Sequence, residues 1–224
     1  MGRGRQRQDN PDGVGRLGVI IETLPVGALE TNCYLVGCEQ TRLGAVIDPG
    51  GDAADILAAV EQKGLTLKYI LLTHAHFDHI GAVAEIVRAT RVPVALHSAD
   101  LPLLRARGGA ALFGVFMRPS PDPDIELTDG QVIELGTLRL RVLHTPGHTP
   151  GHVTFHEATA RAAFDGDVLF QQGIGRTDFP GSSFQQLMDS IRNKLFTLPD
   201  DTTIYPGHGP ATTVGDEKRY NPFL

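Results

Sequence analysis

The sequence predicts an α/β fold of four layers, in which two β-sheets pack face to face and helices cover both outer faces (αββα). Two observations predict it. Strand-like and helix-like segments alternate along the chain in two successive halves, and each half contains more strands than a simple parallel α/β fold requires. Layers of helix, sheet, sheet and helix would bury the apolar faces of all these segments.

The first half of the chain contains short apolar runs and two helical patterns. Apolar spacings of three and four residues predict helices over 52–63 and 80–91, and Gly64 ends the first of them. A turn of sequence Asp-Pro-Gly-Gly at 48–51 follows the third strand. The predicted strands cover residues 19–24, 32–36, 45–47, 69–72 and 94–96.

The second half begins with residues 105–124, where Gly, Pro and Arg are frequent, and we predict a long irregular loop there. Gly130 and Gly136 mark turns between strands. Apolar residues along one stripe of 183–196 predict a third long helix. The predicted strands cover residues 131–135, 138–143, 152–156, 162–164 and 202–205.

The composition divides the chain into two parts, residues 1–17 and residues 18–224. The first part is rich in Gly, Arg, Gln and Asp and shows no periodicity, which indicates a disordered N-terminal arm. The second part has the length of one domain. With 41% apolar and 21% charged residues, the chain has the composition of a globular protein with a core.

The charge balance and the cysteines limit the expected partners and compartment. The chain has 26 acidic and 20 basic residues, which argues against nucleic acid because phosphate binding needs a basic field. No apolar run is long enough to span a bilayer or to form a secretory signal, so no membrane partner is expected. Cys33 and Cys38 would point to opposite faces of one strand, which excludes a disulfide between them. We therefore expect a cytoplasmic protein.

Four potential metal ligands lie within six residues, between a predicted strand and a predicted helix: His74, His76, Asp78 and His79. In an extended segment His74 and His76 project to the same side, and the turn into the helix brings Asp78 and His79 to a neighbouring position. Imidazole and carboxylate are ligands of zinc, iron and manganese. Burial of so many polar groups without partners would be costly. The spacing therefore predicts a metal site, and suits two adjacent ions better than one.

The pattern His-X-His-X-Asp-His at 74–79 resembles the signature of the metallo-β-lactamase superfamily. The other motifs of that superfamily have counterparts in the expected order, and the resemblance extends from about residue 19 to the C-terminus. It implies the αββα sandwich of the superfamily. The counterparts are Asp-Pro-Gly at 48–50, Thr-Pro-Gly-His-Thr-Pro-Gly-His at 145–152, Phe-Asp-Gly-Asp at 164–167 and Tyr-Pro-Gly-His-Gly at 205–209.

The resemblance implies a centre of two divalent ions. Zinc is the expected metal, with iron or manganese as alternatives. Asp167 would bridge the ions and leave coordination positions open for water, as a catalytic site requires. The nucleophile would be a metal-bridging hydroxide, and Asp78 or Asp167 would take up its remaining proton. One ion would be held by His74, His76 and His148, and the other by Asp78, His79 and His208.

Three further residues have a functional interpretation beside a structural one. Asp48 is either a turn-forming residue or an acceptor that orients a ligand histidine. His152 either supports a ligand from behind or only packs in the fold. Arg176 either binds a substrate carboxylate, as a basic residue does in this loop of the glyoxalase II group, or forms a surface ion pair with Asp178.

Within the superfamily the chain looks most like the glyoxalase II-type hydrolases, which cleave hydroxyacyl-glutathione thioesters. No candidate for a dedicated general acid is found, which favours a thioester because a thiolate leaves without a proton. The chain ends at Leu224, shortly after His208, which resembles short forms that lack the C-terminal helical domain. The expected partner is therefore a small acyl-thiol, while the oligomeric state is left open.

Two alternatives stay open. The segment Gly-Arg-Thr-Asp-Phe at 175–179 also resembles the persulfide dioxygenases of this superfamily, which use one iron held by two His and one Asp. The other alternative is a non-catalytic scaffold that keeps the metal for stability.

Overall fold

The computed structural model describes residues 18–224, and the predicted arm at 1–17 lies outside the described residues. Two six-stranded sheets form the centre of the fold. The first sheet contains β1 (Val19–Val26), β2 (Thr31–Cys38), β3 (Leu43–Ile47), β4 (Thr66–Leu71), β5 (Val94–His97) and β6 (Ile125–Leu127), in that spatial order. The pairs from β1 to β3 are antiparallel, and those from β3 to β6 are parallel.

The second sheet has the spatial order β14-β13-β10-β9-β8-β7, and only the β10–β13 pair is parallel. A small ribbon of two antiparallel strands follows β10. The strands of this sheet are β7 (Val132–Leu135), β8 (Leu138–His144), β9 (Val153–Glu157), β10 (Ala162–Gly166), β13 (Thr203–Pro206) and β14 (Thr212–Thr213), and those of the ribbon are β11 (Leu169–Phe170) and β12 (Gly173–Ile174).

Helices cover the outer faces of both sheets. The α-helices are α1 (Ala53–Gln62), α2 (Phe77–Ile80), α3 (Val83–Thr90), α4 (Leu101–Arg105), α5 (Phe184–Asn193) and α6 (Val214–Tyr220). Short 3-10 turns lie at Ser98–Asp100, Arg107–Phe113 and Leu195–Thr197. No helix in the described part of the chain is long and apolar enough to cross a membrane.

Three apolar clusters separate the four layers. The central cluster lies between the sheets and includes Tyr34, Phe155 and Phe164. The second lies between the first sheet and helices α1 and α3, and the third lies between the second sheet and α5. The predicted αββα architecture is therefore confirmed.

Strand β2 is buried on both faces and belongs to two clusters at once. Cys33 and Leu35 contact the helix-side cluster, while Tyr34, Val36 and Cys38 contact the central cluster. This alternation follows from the two-residue period of a strand. It also places the two cysteine thiols on opposite faces, and both are unpaired.

The prediction of one helix over 80–91 is wrong in two respects: the first helical residue differs, and the helix is interrupted. The helical turn begins earlier, at Phe77, and α3 begins only at Val83. Gly81 lies between them, and a Cβ atom there would lie 2.1 Å from the carbonyl oxygen of Gly50. This close approach anchors the helix break on the turn after β3, and the amide of Ala82 donates to Pro49 O at 2.9 Å.

The loop predicted over 105–124 is more structured at its start than expected. It contains the end of α4 and the 3-10 turn Arg107–Phe113, in which Gly108 and Gly109 adopt φ values of 62° and 74°. These left-handed residues interrupt the helix, which is why no helical period is visible in the sequence. Helices α4 and α6 and strands β6, β11, β12 and β14 were not predicted, because two to seven residues carry too little of a period.

Because Phe155 packs between the sheets, we expect Phe155→Ala to destabilise the protein strongly. The ring is fully buried, and its removal should lower the free energy of unfolding by about 3–5 kcal/mol because a cavity remains between the sheets. Urea unfolding followed by circular dichroism measures this loss. Phe184→Ala removes a ring that is 53% exposed and should change stability by no more than about 0.5 kcal/mol. A loss below about 1 kcal/mol for Phe155→Ala would contradict tight packing between the sheets.

Candidate metal centre

Loops from both sheets meet at one edge of the sandwich, and the seven predicted metal ligands come together there. One sheet supplies the loop after β4 and the turn of α2. The other supplies the loop between β8 and β9, the end of β10 and the loop after β13. The ligands therefore come from both halves of the chain, and packing of the sheets brings them together.

The first group consists of His74, His76 and His148. One ring nitrogen from each lies within 4.8 Å of the others, and His76 Nδ1 is 2.8 Å from His148 Nε2. His74 is fully buried, and its Nδ1 lies 3.0 Å from Thr73 Oγ1. That contact leaves the Nε2 atom of His74 for a ligand.

The second group consists of Asp78, His79 and His208, which also bring one ligand atom each within 4.8 Å of one another. Asp78 Oδ2 lies 3.6 Å from His79 Nε2 and 3.1 Å from His208 Nε2. Asp78 and His79 occupy the short helix α2, so the helical turn presents both side chains to the same place.

Asp167 lies between the two groups. Its Oδ2 atom is 3.5 Å from His148 Nε2 of the first group and 3.8 Å from His208 Nε2 of the second. Its Oδ1 atom is 3.5 Å from His79 Nε2. A carboxylate in this position can contribute to both groups at once, as a bridging ligand does.

The residues present fit the divalent ions that the family resemblance implies. Three buried atoms of the cluster have no hydrogen-bond partner: His74 Nε2, His79 Nε2 and Asp167 Oδ1. A buried polar atom without a partner costs about 1–3 kcal/mol, so three in one place need an explanation. Imidazole nitrogen and carboxylate oxygen are ligands for zinc and similar metals, and bound ions would satisfy all three atoms.

The electrostatics differ between the two groups. Burial lowers the pKa of His74 well below its usual value, and burial together with His148 lowers the pKa of His76 to about 3. Burial would also lower the pKa of His79, but the carboxylates of Asp167 and Asp48 raise it to about 9. His74 and His76 therefore present neutral imidazoles, the form that binds metals, while His79 must lose a proton to bind one.

Asp48 lies in a turn and also accepts a hydrogen bond from a predicted ligand histidine, so its contacts are of both kinds that the sequence left open. It lies in the turn after β3 with a φ of 50°, in the left-handed region. Its buried carboxylate accepts hydrogen bonds from Thr73 N at 2.7 Å, from Thr73 Oγ1 at 2.5 Å and from His79 Nδ1 at 3.0 Å. Asp48 also lies within 4.8 Å of His74 and His79, but these three bonds already occupy its oxygens. The carboxylate thus directs the other nitrogen of His79 toward the cluster.

His152 lies behind the cluster. Its Nε2 accepts a hydrogen bond from the amide of Asp167 at 3.1 Å, and its Nδ1 lies 3.2 Å from Thr145 Oγ1. Its ring also stacks on that of His74, with the centroids 4.9 Å apart. His152 therefore contacts one predicted ligand from each sheet without itself belonging to a ligand group.

Arg176 forms the ion pair that the sequence left as one of two interpretations. Its guanidinium donates to both carboxylate oxygens of Asp178, at 2.9 and 2.8 Å, and lies 4.4 Å from the centroid of the Phe179 ring. Its backbone carbonyl accepts a hydrogen bond from His148 Nδ1 at 2.8 Å, a contact that no sequence pattern indicates. This bond orients a ligand histidine, so the loop matters to the centre through its main chain. A contact of Arg176 with a substrate carboxylate stays a prediction.

Asp100 is a residue of the site that sequence reasoning missed. It is fully buried, and its carboxylate accepts hydrogen bonds from Ala75 N at 3.0 Å, from Thr149 Oγ1 at 2.8 Å and from Gly151 N at 2.6 Å. It thereby joins the loop that carries His74 and His76 to the loop that carries His148. One signal could have identified it: Asp100 follows β5 closely, which places it at the same sheet edge as the metal motif.

The cluster forms the floor of a cavity of about 250 Å³. Five of the predicted ligands line it, and most of the other lining residues are apolar. Arg176 is the exception. The lining residues are Leu29, His76, Phe77, Asp78, Phe113, His148, Asp167, Phe170, Arg176, Phe179 and His208.

Comparison by sequence agrees with this geometry. The family model described as "Metallo-beta-lactamase superfamily" matches residues 26–208. The chain is 42% identical over 211 residues to a protein of Haemophilus influenzae named hydroxyacylglutathione hydrolase GloC, and the match covers 91% of this chain and 97% of that protein.

Solved structures with similar folds carry different descriptions. The BLEG-1 B3 metallo-beta-lactamase superposes with a TM-score of 0.86 at 40% identity, covering 92% of this chain and 99% of that one. TTHA1623 in a di-iron-bound form gives 0.84 at 42% identity, covering 91% and 100%. ETHE1 from Myxococcus xanthus gives 0.75 at 32% identity, covering 91% and 83%.

The contacts of Asp48 predict that Asp48→Asn weakens metal binding. The asparagine amide cannot accept all three hydrogen bonds, so His79 loses the partner that fixes its orientation. We expect a loss of about 10–100-fold in metal affinity, measured by competition with a chromogenic chelator. Asp52→Asn, which affects an exposed hydrogen bond to Gly27 N, is the control and should leave the affinity unchanged. Equal affinities for Asp48→Asn and the native protein would contradict this role.

The contacts of Asp100 predict that Asp100→Asn destabilises the fold by about 1–3 kcal/mol, because at least one buried donor loses its acceptor. Urea unfolding of the metal-free protein measures this loss separately from any effect of metal binding. Asp122→Asn breaks only an exposed ion pair with Arg105 and should leave the unfolding midpoint nearly unchanged. If both variants behaved alike, Asp100 would not hold the two loops together.

Proposed function

Because this chain belongs to the metallo-β-lactamase superfamily, we propose that it is a metal-dependent hydrolase that binds two divalent ions and cleaves thioesters such as hydroxyacyl-glutathione. One observation carries the proposal. Six imidazole and carboxylate side chains converge at the floor of a cavity, as two groups of three. A seventh side chain, Asp167, lies between the two groups. The name of the relative from Haemophilus influenzae supports the substrate class.

The chain supplies the ligands and their orientation. Two divalent ions held there, zinc in the first place, would lower the pKa of a water molecule toward neutrality and so supply hydroxide at neutral pH. Asp78 and Asp167 both line the cavity, and we assign to them the remaining proton of that water. One ion would be held by His74, His76 and His148, the other by Asp78, His79 and His208, with Asp167 bridging.

The polarity of the cavity supports a thioester over an amide. Apart from the proposed ligands, Arg176 is the only polar side chain among the described residues that line the cavity, and a guanidinium stays protonated. Apart from the proposed ligands, no described side chain that lines the cavity can act as a general acid for an amine leaving group. A thiolate needs none, because the thiol pKa is only about 8.5.

The other expectations from the sequence remain proposals. We propose one domain over residues 18–224, a small acyl-thiol as partner rather than nucleic acid or a membrane, and a reducing cytoplasm as the compartment. The unpaired, buried thiols of Cys33 and Cys38 support that compartment. Since exposed ion pairs contribute little, a glutathione carboxylate could replace Asp178 on Arg176.

A second candidate is the mononuclear iron persulfide dioxygenase. The segment at 175–179, which carries that resemblance, lies against the first ligand group. The carbonyl of Arg176 contacts His148, and the ring of Phe179 lies 5.2 Å from that of His76. The similarity to ETHE1 from Myxococcus xanthus at 32% identity leaves the specific activity open. It requires a single iron, whereas the hydrolase requires both groups to be filled.

The test is the metal content of protein purified without added metal or chelator. We expect about two ions per chain by elemental analysis, zinc or a mixture with iron or manganese, and hydrolysis of lactoyl-glutathione that stops on chelation and returns with zinc. His208→Ala should lower the content toward one ion and reduce kcat/KM by about 100-fold or more, because a ligand is lost. His156→Ala changes a histidine outside the cluster and serves as the matched control.

Each other outcome would count against the hydrolase. One iron per chain, together with oxygen uptake on a glutathione persulfide, would support the dioxygenase. Metal-loaded protein that neither cleaves a thioester nor consumes oxygen would support the non-catalytic scaffold.

A further inference from the structure

We propose that the cavity above the metal centre binds an apolar acyl group, aromatic or alkyl, so that thioesters of apolar acids are better substrates than those of small hydroxy acids. This inference rests on the proposed thioesterase function. It goes beyond that function because it names the part of the substrate that the cavity selects and the side chains that select it.

The walls of the cavity are a continuous apolar surface that leads to the predicted ligands. The rings of Phe77 and Phe113 have centroids 5.2 Å apart, and those of Phe113 and Phe179 are 5.9 Å apart. Phe179 in turn lies 5.2 Å from the ring of His76. These separations are typical of packed aromatic pairs. Leu29 adds a further apolar side chain to the lining.

The wall is held in place by the backbone. Phe113 ends a 3-10 turn that begins at Arg107, and this turn contacts the metal-binding loop through Gly108. A Cβ atom on Gly108 would lie 2.2 Å from Phe77 N and 2.7 Å from Ala75 O. Glycine at this position lets the two segments touch. The half-exposed ring of Phe113 is thereby fixed beside the ligands.

The cavity offers little to a polar acyl group. Arg176 is the one cationic side chain among the described lining residues that is not a proposed ligand. Its guanidinium already holds both oxygens of Asp178 and packs on Phe179. With Arg176 assigned to the thiol carrier at the rim, a hydroxyl or carboxylate on the acyl chain would lose its water without gaining a side-chain partner, whereas an apolar chain would gain by leaving water.

The size of the cavity limits it to one part of the substrate. At about 250 Å³ it is smaller than the roughly 300–1,000 Å³ of pockets that enclose a drug-sized ligand. One arm of an acyl-thiol can therefore enter, with the scissile carbonyl at the floor. The other arm must extend over the rim, where Arg176 and Asp178 are both more than half exposed. A peptide-like thiol carrier, which is polar, suits that rim, and the apolar acyl arm suits the interior.

The first experiment compares kcat/KM of the metal-loaded native enzyme on lactoyl-, hexanoyl- and phenylacetyl-glutathione. We expect the two apolar acyl groups to exceed lactoyl by at least about tenfold, since even one methylene in an apolar pocket has an effect of about this size. A lactoyl value equal to or above the others would overturn the inference and leave the thioesterase standing. No cleavage of any of the three would overturn the thioesterase itself.

A second series separates the acyl arm from the thiol arm. It repeats the lactoyl, hexanoyl and phenylacetyl thioesters with the less polar N-acetylcysteamine in place of glutathione. Retention of most of the activity on the smaller thiol, together with the acyl preference, supports the proposal. The proposal would be overturned if the acyl preference disappeared and kcat/KM depended only on which thiol the substrate carries.

The variant test uses Phe113. Phe113→Ala should lower kcat/KM on phenylacetyl-glutathione by about tenfold, mainly through KM, and change lactoyl-glutathione by less than about twofold. Phe113→Leu keeps an apolar wall and should recover part of the loss. Phe223→Ala removes a ring that is exposed to a similar degree, 56% against 50%, but does not line the cavity, and should have no effect. An equal loss on both substrates in Phe113→Ala would contradict acyl selection.

Discussion

Two buried carboxylates at the edge of the first sheet hold the loop between β4 and α2 in its shape, and the metal centre depends on them. Asp48 accepts both hydrogen bonds that Thr73 can donate and one from His79. Asp100 accepts the amide of Ala75 two residues further on. A carboxylate that accepts several bonds is held rigidly, so the segment between these anchors has little freedom. Its histidines are therefore oriented before any ion binds.

One of these carboxylates, Asp100, connects the two sheets. Asp100 also accepts from Thr149 and Gly151, which lie in the second half of the chain. From the other side, Asn32 of β2 donates to the carbonyls of Pro206 and Gly209 on either side of His208. The loops that carry His148 and His208 are thus bound to the side of the first sheet. The apolar cluster between the sheets fixes their distance, and these polar contacts fix the position of the loops at the edge.

This rigid floor and the apolar walls above it have different roles. The floor concentrates imidazole and carboxylate groups whose unpaired atoms, such as His74 Nε2 and Asp167 Oδ1, are suited to ions. Apart from Phe77, the walls come from segments outside the metal motifs, chiefly the turn that ends at Phe113 and the loop that contains Phe179. The ligands at the floor can therefore carry out the reaction common to the superfamily, while the side chains of the walls determine which substrate binds.

Much of the centre was predictable from the sequence, because its signals are local. All seven predicted ligands are a histidine or an aspartate in a short motif that follows a strand, and Asp78 and His79 share one helical turn. Alternating apolar patterns predicted the layers for the same reason, since strand and helix periods depend on neighbouring residues. Helix 80–91 was predicted wrongly because its break at Gly81 depends on contact with Gly50, 31 residues away in the sequence.

The tertiary structure alone decided how distant segments meet. It brought His148 to within 2.8 Å of His76, joined Asp100 to two loops and paired Arg176 with Asp178. It also formed the cavity, since aromatic rings from three separate segments make one wall only when the sheets are packed. Local sequence determines which groups are available and in which conformation each short segment holds them. The distances between groups far apart in the chain follow from burial of the apolar faces of both sheets, which no single segment encodes.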